Sequence, residues 1–435
     1  MATRSRAVVL MLLWLCVAIG EPWIAGAEDD GGMCTMETKK TCSDDTEDAS
    51  GGEKTDHYSE EVNTPSATEA AVGSDANPPM STMADRPAVD SQPKKKKAKK
   101  GAYWEGLEHL HVGCVICGDR VPEALVMMKS GVVFSTSPLT FHIFTEDNLK
   151  KDLSKELNKW PDVEKQRVTY KFHPIKYPDT EDSKTWRETF KPCATMRLFI
   201  PTTTDIDSLI YLDTDILFMT PVEKVWKHFS QFNSTQLAAV APESEDLVNS
   251  WYPRFARHPF YGAAGINSGV MLMNLTRMRA VHDGRWQSEL IEIFREYRHN
   301  ISWGDQCLLN IYFHRHPELV HVYGCDWNYR PDHCMYGVNN CHLSPTKSPK
   351  LFHGNRRAFH DVPRQPFFTA VYEEFVKMTP DNGLKSKQFV KDLAKAFDRI
   401  QKDNCLLARK PLLDGIRQAS KSVSSRKERL KKAGK

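Results

Sequence analysis

The chain has 435 residues, room for one large domain with appendages or for two domains. Hydrophobic residues make up 40% and charged residues 26%, ordinary values for a globular protein. A net charge of +3 implies no special partner and excludes the strongly basic balance of a typical nucleic-acid binder.

Taken in order, Arg4 and Arg6 precede an apolar run from Ala7 to Ile19, and Ala25-Gly26-Ala27 resembles a cleavage site. The run is short against the ~20 apolar residues of a membrane span. Residues 1–27 therefore read as a signal peptide, or as a signal anchor that keeps the chain on a membrane if uncleaved. Either reading sends the rest into the secretory pathway. Sequons at Asn233, Asn274 and Asn300 and a total of 11 cysteines suit a lumenal protein. Beyond Cys16, Cys34 and Cys42, eight cysteines remain, an even number that permits four bridges of unknown pairing.

Residues 28–103 are rich in Asp, Glu, Ser, Thr, Gly and Pro and poor in aromatics, which predicts a disordered stem. The lysines from Lys94 to Lys100 read as a solvated charge run beside the domain. A folded domain is expected over 104–400, and residues 401–435 read as a basic tail, a helical or disordered solvated extension.

Within the domain, His111 to Cys117 predicts a buried strand ending at Gly118-Asp119-Arg120. A helix opens at Pro122 with Leu125, Met128 and Val132 on its apolar face. Strands are predicted at Thr140–Thr145 and Val168–Phe172, with a charged helix through Leu153 and Leu157 between them. This β-α-β-α-β alternation argues for an α/β sheet of nucleotide-binding type. Cys114 and Cys117 lie in a strand pattern without a second Cys-x-x-Cys pair, which favours a structural role over redox chemistry or zinc.

Pro192 predicts the start of a helix carrying Met196, Arg197 and Leu198. Leu209 to Leu212 then form a short apolar run, the pattern of a buried strand, followed by Asp213, Thr214 and Asp215. Strand alternation would return Asp215 to the face of Asp213. That places two carboxylates at a strand end, where open α/β sheets bind ligands. Hard divalent cations prefer oxygen ligands and often complete their shell with phosphates, so Asp-Thr-Asp suggests a metal holding a diphosphate. Arg197 on the preceding helix is a candidate phosphate contact.

Thr220-Pro221-Val222-Glu223 predicts a capping box, followed by a helical stripe of Val222, Val225, Trp226 and Phe229. Leu237 to Ala241 predicts a strand. Gly265 to Asn274 is a glycine-bracketed polar turn running into an apolar strand, either a plain turn or a close approach to a ligand. Leu290 to Tyr297 predicts an amphipathic helix, and Gly304-Asp305-Gln306 opens another with Asp305 placed as its N-cap. A strand at Leu319–Tyr323 precedes a loop from Cys325 to Cys341 rich in cysteine and aromatic residues. After it, His353 stands before Arg356 and Arg357, a candidate third metal ligand beside two cations suited to phosphate.

Four ordered blocks, Cys117-Gly118-Asp119-Arg120, Leu212-Asp213-Thr214-Asp215, Ile266-Asn267-Ser268-Gly269 and Gly304-Asp305-Gln306, with Phe352-His353-Gly354-Asn355 closing the set, carry a likeness. Together they resemble the retaining glycosyltransferases of family eight. The wording His142-Ile143-Phe144-Thr145-Glu146-Asp147, Asp326-Trp327-Asn328-Tyr329-Arg330 and His353-Gly354-Asn355-Arg356 resembles the glucoside xylosyltransferase branch.

The resemblance implies a GT-A nucleotide-sugar-binding fold, a mixed and mostly parallel sheet flanked by helices. It implies transfer of xylose from UDP-xylose in α1,3 linkage to O-linked glucose on EGF-like repeats of glycoproteins such as Notch. Asp213, Asp215 and His353 would bind manganese, and the Cys117, Gly118, Asp119 and Arg120 turn would receive uridine. Arg197 would contact phosphate or donor sugar, while Asn267, Asp305 and Gln306 would surround the transferred sugar, with Gln306 nearest its reacting face. Thr214, Ser268, Gly354, Asn355 and Arg356 would complete the donor pocket. Many members carry His-x-x-Gly-x-x-Lys, so either Arg356 or Arg357 stands in for the lysine. The branch is typically anchored in the endoplasmic reticulum or Golgi as type II membrane proteins, whereas this leader also resembles a cleavable signal of a secreted chain. Two other readings stay open: a UDP-glucose or UDP-galactose transferase, and a non-catalytic lumenal glycoprotein-binding protein.

Overall fold

The computed structural model describes residues 104–180, 182–190, 193–341, 348–379 and 387–433. The expected leader (1–27), the expected stem (28–103) and Pro192 lie outside the described residues. The N-terminal half of the domain alternates β1 (Leu110–Ile116), α1 (Val121–Val133), β2 (Leu139–Thr145), α2 (Asp147–Leu157) and β3 (Val168–Pro174). Both crossovers are helical, so the three strands pair in parallel. α3 (Met196–Thr203) then leads into β4 (Ser208–Leu212), which joins β1 on its other side, also in parallel.

The remaining elements are β5 (Ile216–Phe218), α4 (Val222–Trp226), β6 (Ala238–Pro242), α5 (Trp251–Phe255), β7 (Ile266–Asn274), α6 (Trp286–Tyr297), α7 (Asp305–Arg315), β8 (Val320–Val322), β9 (Leu351–His353), α8 (Pro366–Lys377), α9 (Lys387–Asp398) and α10 (Arg409–Ala433). The sheet order is β3-β2-β1-β4-β7-β6-β8, with β7 antiparallel to both its neighbours and β5-β9 forming a separate pair. Chain order reverses direction across the sheet between β1 and β4, the switch point at which such sheets open a ligand crevice. β4 is covered on both faces: Leu209 and Tyr211 enter one apolar cluster, Ile210 and Leu212 the other. That explains its unbroken apolar run.

Several expectations need correction. The capping box at Thr220–Glu223 does not form, for Pro221 is the N-cap and makes no side-chain cap. Glu223 instead accepts the backbone N–H groups of Thr136 and Ser137, each at 2.8 Å, in the buried turn between α1 and β2. Those two donors need an acceptor inside the protein, and the carboxylate supplies it. Three disulfides form among the described residues, Cys117–Cys193, Cys325–Cys341 and Cys334–Cys405, while Cys114 and Cys307 stay buried and free. The sequon residue Asn274 has a structural task, its side chain accepting the Arg277 N–H as the cap of the following helical turn. No helix among the described residues is long and apolar enough to cross a membrane.

The stretch from residue 401 is no solvated extension. Cys405 is tied to Cys334, and Leu412, Leu413, Ile416, Ala419 and Val423 form a buried stripe along α10. Lysine and arginine residues occupy the other faces, which is why composition reads as a tail. Ile416 is fully buried, so Ile416→Ala is expected to destabilise by ~2–5 kcal/mol in chemical denaturation. A change within about 0.5 kcal/mol, normal for a surface site, would return α10 to the status of a tail.

A second prediction comes from β1, β2 and β3, which place His111, His142 and His173 in a hydrogen-bonded row. Nδ1 of His111 lies 3.0 Å from Nε2 of His142, and Nδ1 of His142 lies 3.0 Å from Nε2 of His173. Burial, with the neighbouring His111, His173 and Lys171, pushes His142 from the ordinary 6.5 down to about 3. Between those values the unfolded chain binds a proton that the folded chain refuses. Stability should therefore be complete above pH 6.5 and fall as the pH drops, by up to about tenfold in the folding constant per pH unit. Denaturation from pH 7 to 4 checks this, and His142→Gln should flatten the slope; an equal slope in the variant would refute it.

Candidate active site

β4 ends at Leu212, and Asp213, Thr214 and Asp215 form the turn that follows it rather than a continued strand. The convergence of the carboxylates thus comes from the turn and from two backbone anchors, not from strand alternation. The Asp213 N–H donates to the Gly269 carbonyl on β7 at 2.9 Å, and the Gly354 N–H donates to the Asp215 carbonyl at 2.8 Å. Pairing of β5 with β9 sets Ile216 opposite His353 and so lays the imidazole beside Asp215. Ligand atoms of Asp213, Asp215 and His353 lie within 4.8 Å of one another. Nε2 of His353 is 3.3 Å from Asp215 and 4.0 Å from Asp213. Burial tends to raise the Asp215 carboxyl, but His353 and Arg120 outweigh it and hold the group below the usual range. Gly269 makes room for the imidazole: a Cβ there would meet His353 Cε1 at 2.3 Å.

A chain of amides fixes which nitrogen of His353 faces the carboxylates. The carboxylate of Glu243, just beyond β6, can only accept, so Asn267 presents its Nδ2 to it at 2.7 Å. The Asn267 oxygen then accepts from Asn328 Nδ2 at 2.7 Å, which leaves the Asn328 oxygen 2.8 Å from His353 Nδ1. Nδ1 therefore carries a hydrogen, and Nε2 is the nitrogen turned toward Asp213 and Asp215. Two carboxylates and an imidazole of fixed tautomer suit a divalent cation such as manganese.

Arg197, near the start of α3, binds the site together. Its guanidinium pairs with Asp213 at 3.0 Å and closely with Asp305, donates to the Ser268 carbonyl at 2.6 Å, and lies over the Tyr211 ring at 4.6 Å. Burial works against its charge, yet Asp213 and Asp305 keep it firmly cationic. Asp305 is not the N-cap expected of it; Gly304 caps α7 with φ 62, freeing Asp305 to face Arg197. Burial pushes the Asp305 carboxyl up to about 6, with Arg197 opposing and Asp213 reinforcing the rise. Gln306 accepts the Ser268 N–H at 3.0 Å and donates to Glu243 at 3.2 Å and to the Tyr252 hydroxyl at 3.3 Å.

The Cys117–Arg120 turn is a short 3-10 segment over Gly118–Arg120, pinned by the Cys117–Cys193 bridge and by Gly118 N–H donating to Glu146 at 3.0 Å. The Asp119 side chain is solvent-exposed, and Arg120 pairs with Glu123 at 3.1 Å. Glu123 is buried and also accepts from Thr214 at 2.6 Å and meets His360 at 2.9 Å, so it joins this turn to the Asp213–Asp215 turn. Asn355 has a buried amide oxygen with no hydrogen-bond partner among the described residues. Arg356 is turned to Asp332 at 2.6 Å, while Arg357 is exposed. The structure thus gathers Arg197, Asp213, Asp215, Asn267, Ser268, Asp305, Gln306 and His353 into one network and adds three residues that sequence reading missed, Glu123, Glu243 and Asn328. The signal for Glu123 was a carboxylate on the buried face of a helix, and for Asn328 its place in the Asp326–Arg330 block; for Glu243 there was none short of the fold.

A model described as glycosyl transferase family 8 matches residues 111–353. The glucoside xylosyltransferase 2 of Mus musculus is 49% identical over 273 residues, 61% of this chain and 61% of that protein. The glucoside xylosyltransferase 2 of Xenopus laevis is 47% identical over 286 residues, 64% of this chain and 67% of that one. Among solved structures, the galactosyltransferase LgtC with donor and acceptor sugar analogues is 16% identical with a TM-score of 0.48, over 62% of this chain and 96% of that chain.

Because Asn328 orients the imidazole of this candidate cluster, Asn328→Ala is expected to weaken any divalent-cation binding there, probed with manganese, by about 10- to 100-fold. Calorimetric titration of a variant whose circular dichroism matches wild type tests this, and an affinity within twofold of wild type would remove the orienting role.

Proposed function

The chain belongs to glycosyl transferase family 8, whose model spans more than half of it, and from that premise we propose that it transfers xylose from UDP-xylose, with retention and in α1,3 linkage, to glucose O-linked on EGF-like repeats. It is a glycosyltransferase of GT-A fold, with the mostly parallel sheet and flanking helices that this class carries. The observation that carries the reading is the Asp213, Asp215 and His353 cluster at the sheet's switch point, with Nε2 of its imidazole turned inward. The names of the relatives at 47% and 49% identity support xylose and a glucoside acceptor.

In this reading Asp213, Asp215 and His353 hold manganese, which when bound supplies Lewis-acid stabilisation of the leaving diphosphate. The Cys117–Arg120 turn receives uridine, and Asn267, Asp305 and Gln306 surround the xylose. The glucose 3-hydroxyl attacks the anomeric carbon from the face that UDP leaves, giving retention. The new C–O bond forms as the bond to phosphate breaks, and the hydroxyl proton passes to the departing phosphate. Arg197 holds Asp305 and Asp213 in place for this step and compensates their charge, a preorganised electrostatic role. Double displacement is less well supported, since the Gln306 amide is a poor nucleophile and Asp305 is held by Arg197. Among the described residues Arg356 is paired with Asp332, which makes Arg357 the better candidate to replace the family's lysine at phosphate.

The three disulfides suit an oxidising lumen, and we place the enzyme in the endoplasmic reticulum or Golgi. An intact metal cluster speaks against the non-catalytic alternative.

The test is a donor screen with the full chain, manganese and a glucosylated EGF-like repeat, read by mass spectrometry. A pentose gain from UDP-xylose is expected; a hexose gain would replace the donor with UDP-glucose or UDP-galactose, and no transfer would leave the binding-protein reading. Gln306→Ala should lower kcat by ~10²-fold or more and leave UDP affinity nearly unchanged. A large loss of UDP affinity instead would move Gln306 away from the sugar.

A further inference from the structure

A second set of metal-type ligands meets at the other end of α7, away from Asp305 and Gln306. His282 lies in the turn Val281–Gly284, Glu289 on α6, and His316 directly after α7. Nδ1 of His282 is 3.3 Å from Oε2 of Glu289, and Nε2 of His316 is 2.6 Å from Oε1 of the same carboxylate. Ligand atoms of the three residues lie within 4.8 Å of one another, and the two rings are 4.5 Å apart. Zinc bonds of ~2.0–2.1 Å at a tetrahedral angle set their ligand atoms ~3.3 Å apart, so this spacing admits the ion after small side-chain shifts.

The surroundings favour a cation. Nearby arginines are engaged elsewhere, Arg285 with Glu292 at 2.9 Å and Arg315 with Glu296 at 2.5 Å. Among the described residues, the ion partners of Glu289 are the two imidazoles, with no arginine or lysine. His316 follows the C-terminal end of α7, where the free carbonyls give a negative potential. His282 and Asp283 hold φ of 48° and 57°, a left-handed bend, and His282 meets Glu289 of α6. Tyr312 is fully buried, with its ring 5.0 Å from His316 and a hydroxyl that lacks a hydrogen-bond partner among the described residues.

We propose that His282, Glu289 and His316 form a zinc site, with two imidazole nitrogens, one carboxylate oxygen and one water as ligands. Two nitrogens and one oxygen in open tetrahedral geometry select zinc over the oxygen-seeking magnesium and calcium. The ion would clamp the Val281–Gly284 turn and α6 to the end of α7. The site stands apart from the proposed transfer reaction and does not depend on it.

The test is a zinc titration of the full chain carrying Asp213→Asn and Asp215→Asn, which removes the other cluster from the count. One equivalent should bind, and at 100 times Kd the folded-to-unfolded ratio should rise about 100-fold, read as a higher Tm. Adding His316→Asn or His282→Asn should abolish both effects. The His282 side chain is 36% exposed, so the metal-free Tm of His282→Asn reports whether that variant still folds. Cobalt offers an independent reading, through a visible absorption band of four-coordinate geometry that each histidine variant should lose. Absence of zinc binding, or a folded His282→Asn that binds as before, would overturn the site.

Discussion

One buried guanidinium holds the active region together. Arg197 reaches from α3 to a turn after β4, to the first turn of α7 and to the backbone of β7, three segments widely separated in sequence. Asp213 and Asp305 would repel each other across a poorly hydrated pocket without a cation between them. The planar fork answers both carboxylates and a carbonyl at once, a task beyond the point charge of a lysine. The same pairing releases Asp305 from capping its own helix, so Gly304 must adopt a positive φ to start α7 without that help.

The rest of the site depends on how β7 runs. Its antiparallel register against β4 sets Val270 opposite Leu212, and so the residues before Val270 lie alongside the metal turn. Gly269 leaves space for the imidazole, Ser268 meets Arg197 and Gln306, and Asn267 starts the amide chain to His353. Every polar residue of that strand end thus faces a partner inside the protein. Turns and loops anchored on strand ends carry the precision of the site.

Much of this was legible in the residues themselves. Asp213 and Asp215 could be read because an apolar strand runs directly into them, and His353 because it closes another apolar run. The β-α-β-α-β start was equally plain from its periodicity. Glu243 was not legible, because it acts through a partner that only the sheet brings near; Asn328 stood in a quoted block, but its hold on His353 needs the fold. Glu223 misled for a related reason: a local capping motif competed with two buried backbone donors far away in sequence, and the distant demand won. The C-terminal helix misled because its charge count concealed five apolar residues on one face.

That helix has a consequence for how the protein is made. Leu412, Leu413, Ile416 and Ala419 of its stripe belong to the same apolar cluster as residues of β1 and α1, and Arg426 comes within 3.7 Å of Glu223 beside the α1–β2 turn. That cluster is therefore complete only once residues roughly 300 positions after β1 have been made. Contacts of such long sequence separation close slowly, and until they do apolar surface stays open to solvent. A nascent chain stopped short of α10 would leave part of that cluster open to solvent and to whatever chaperones attend it.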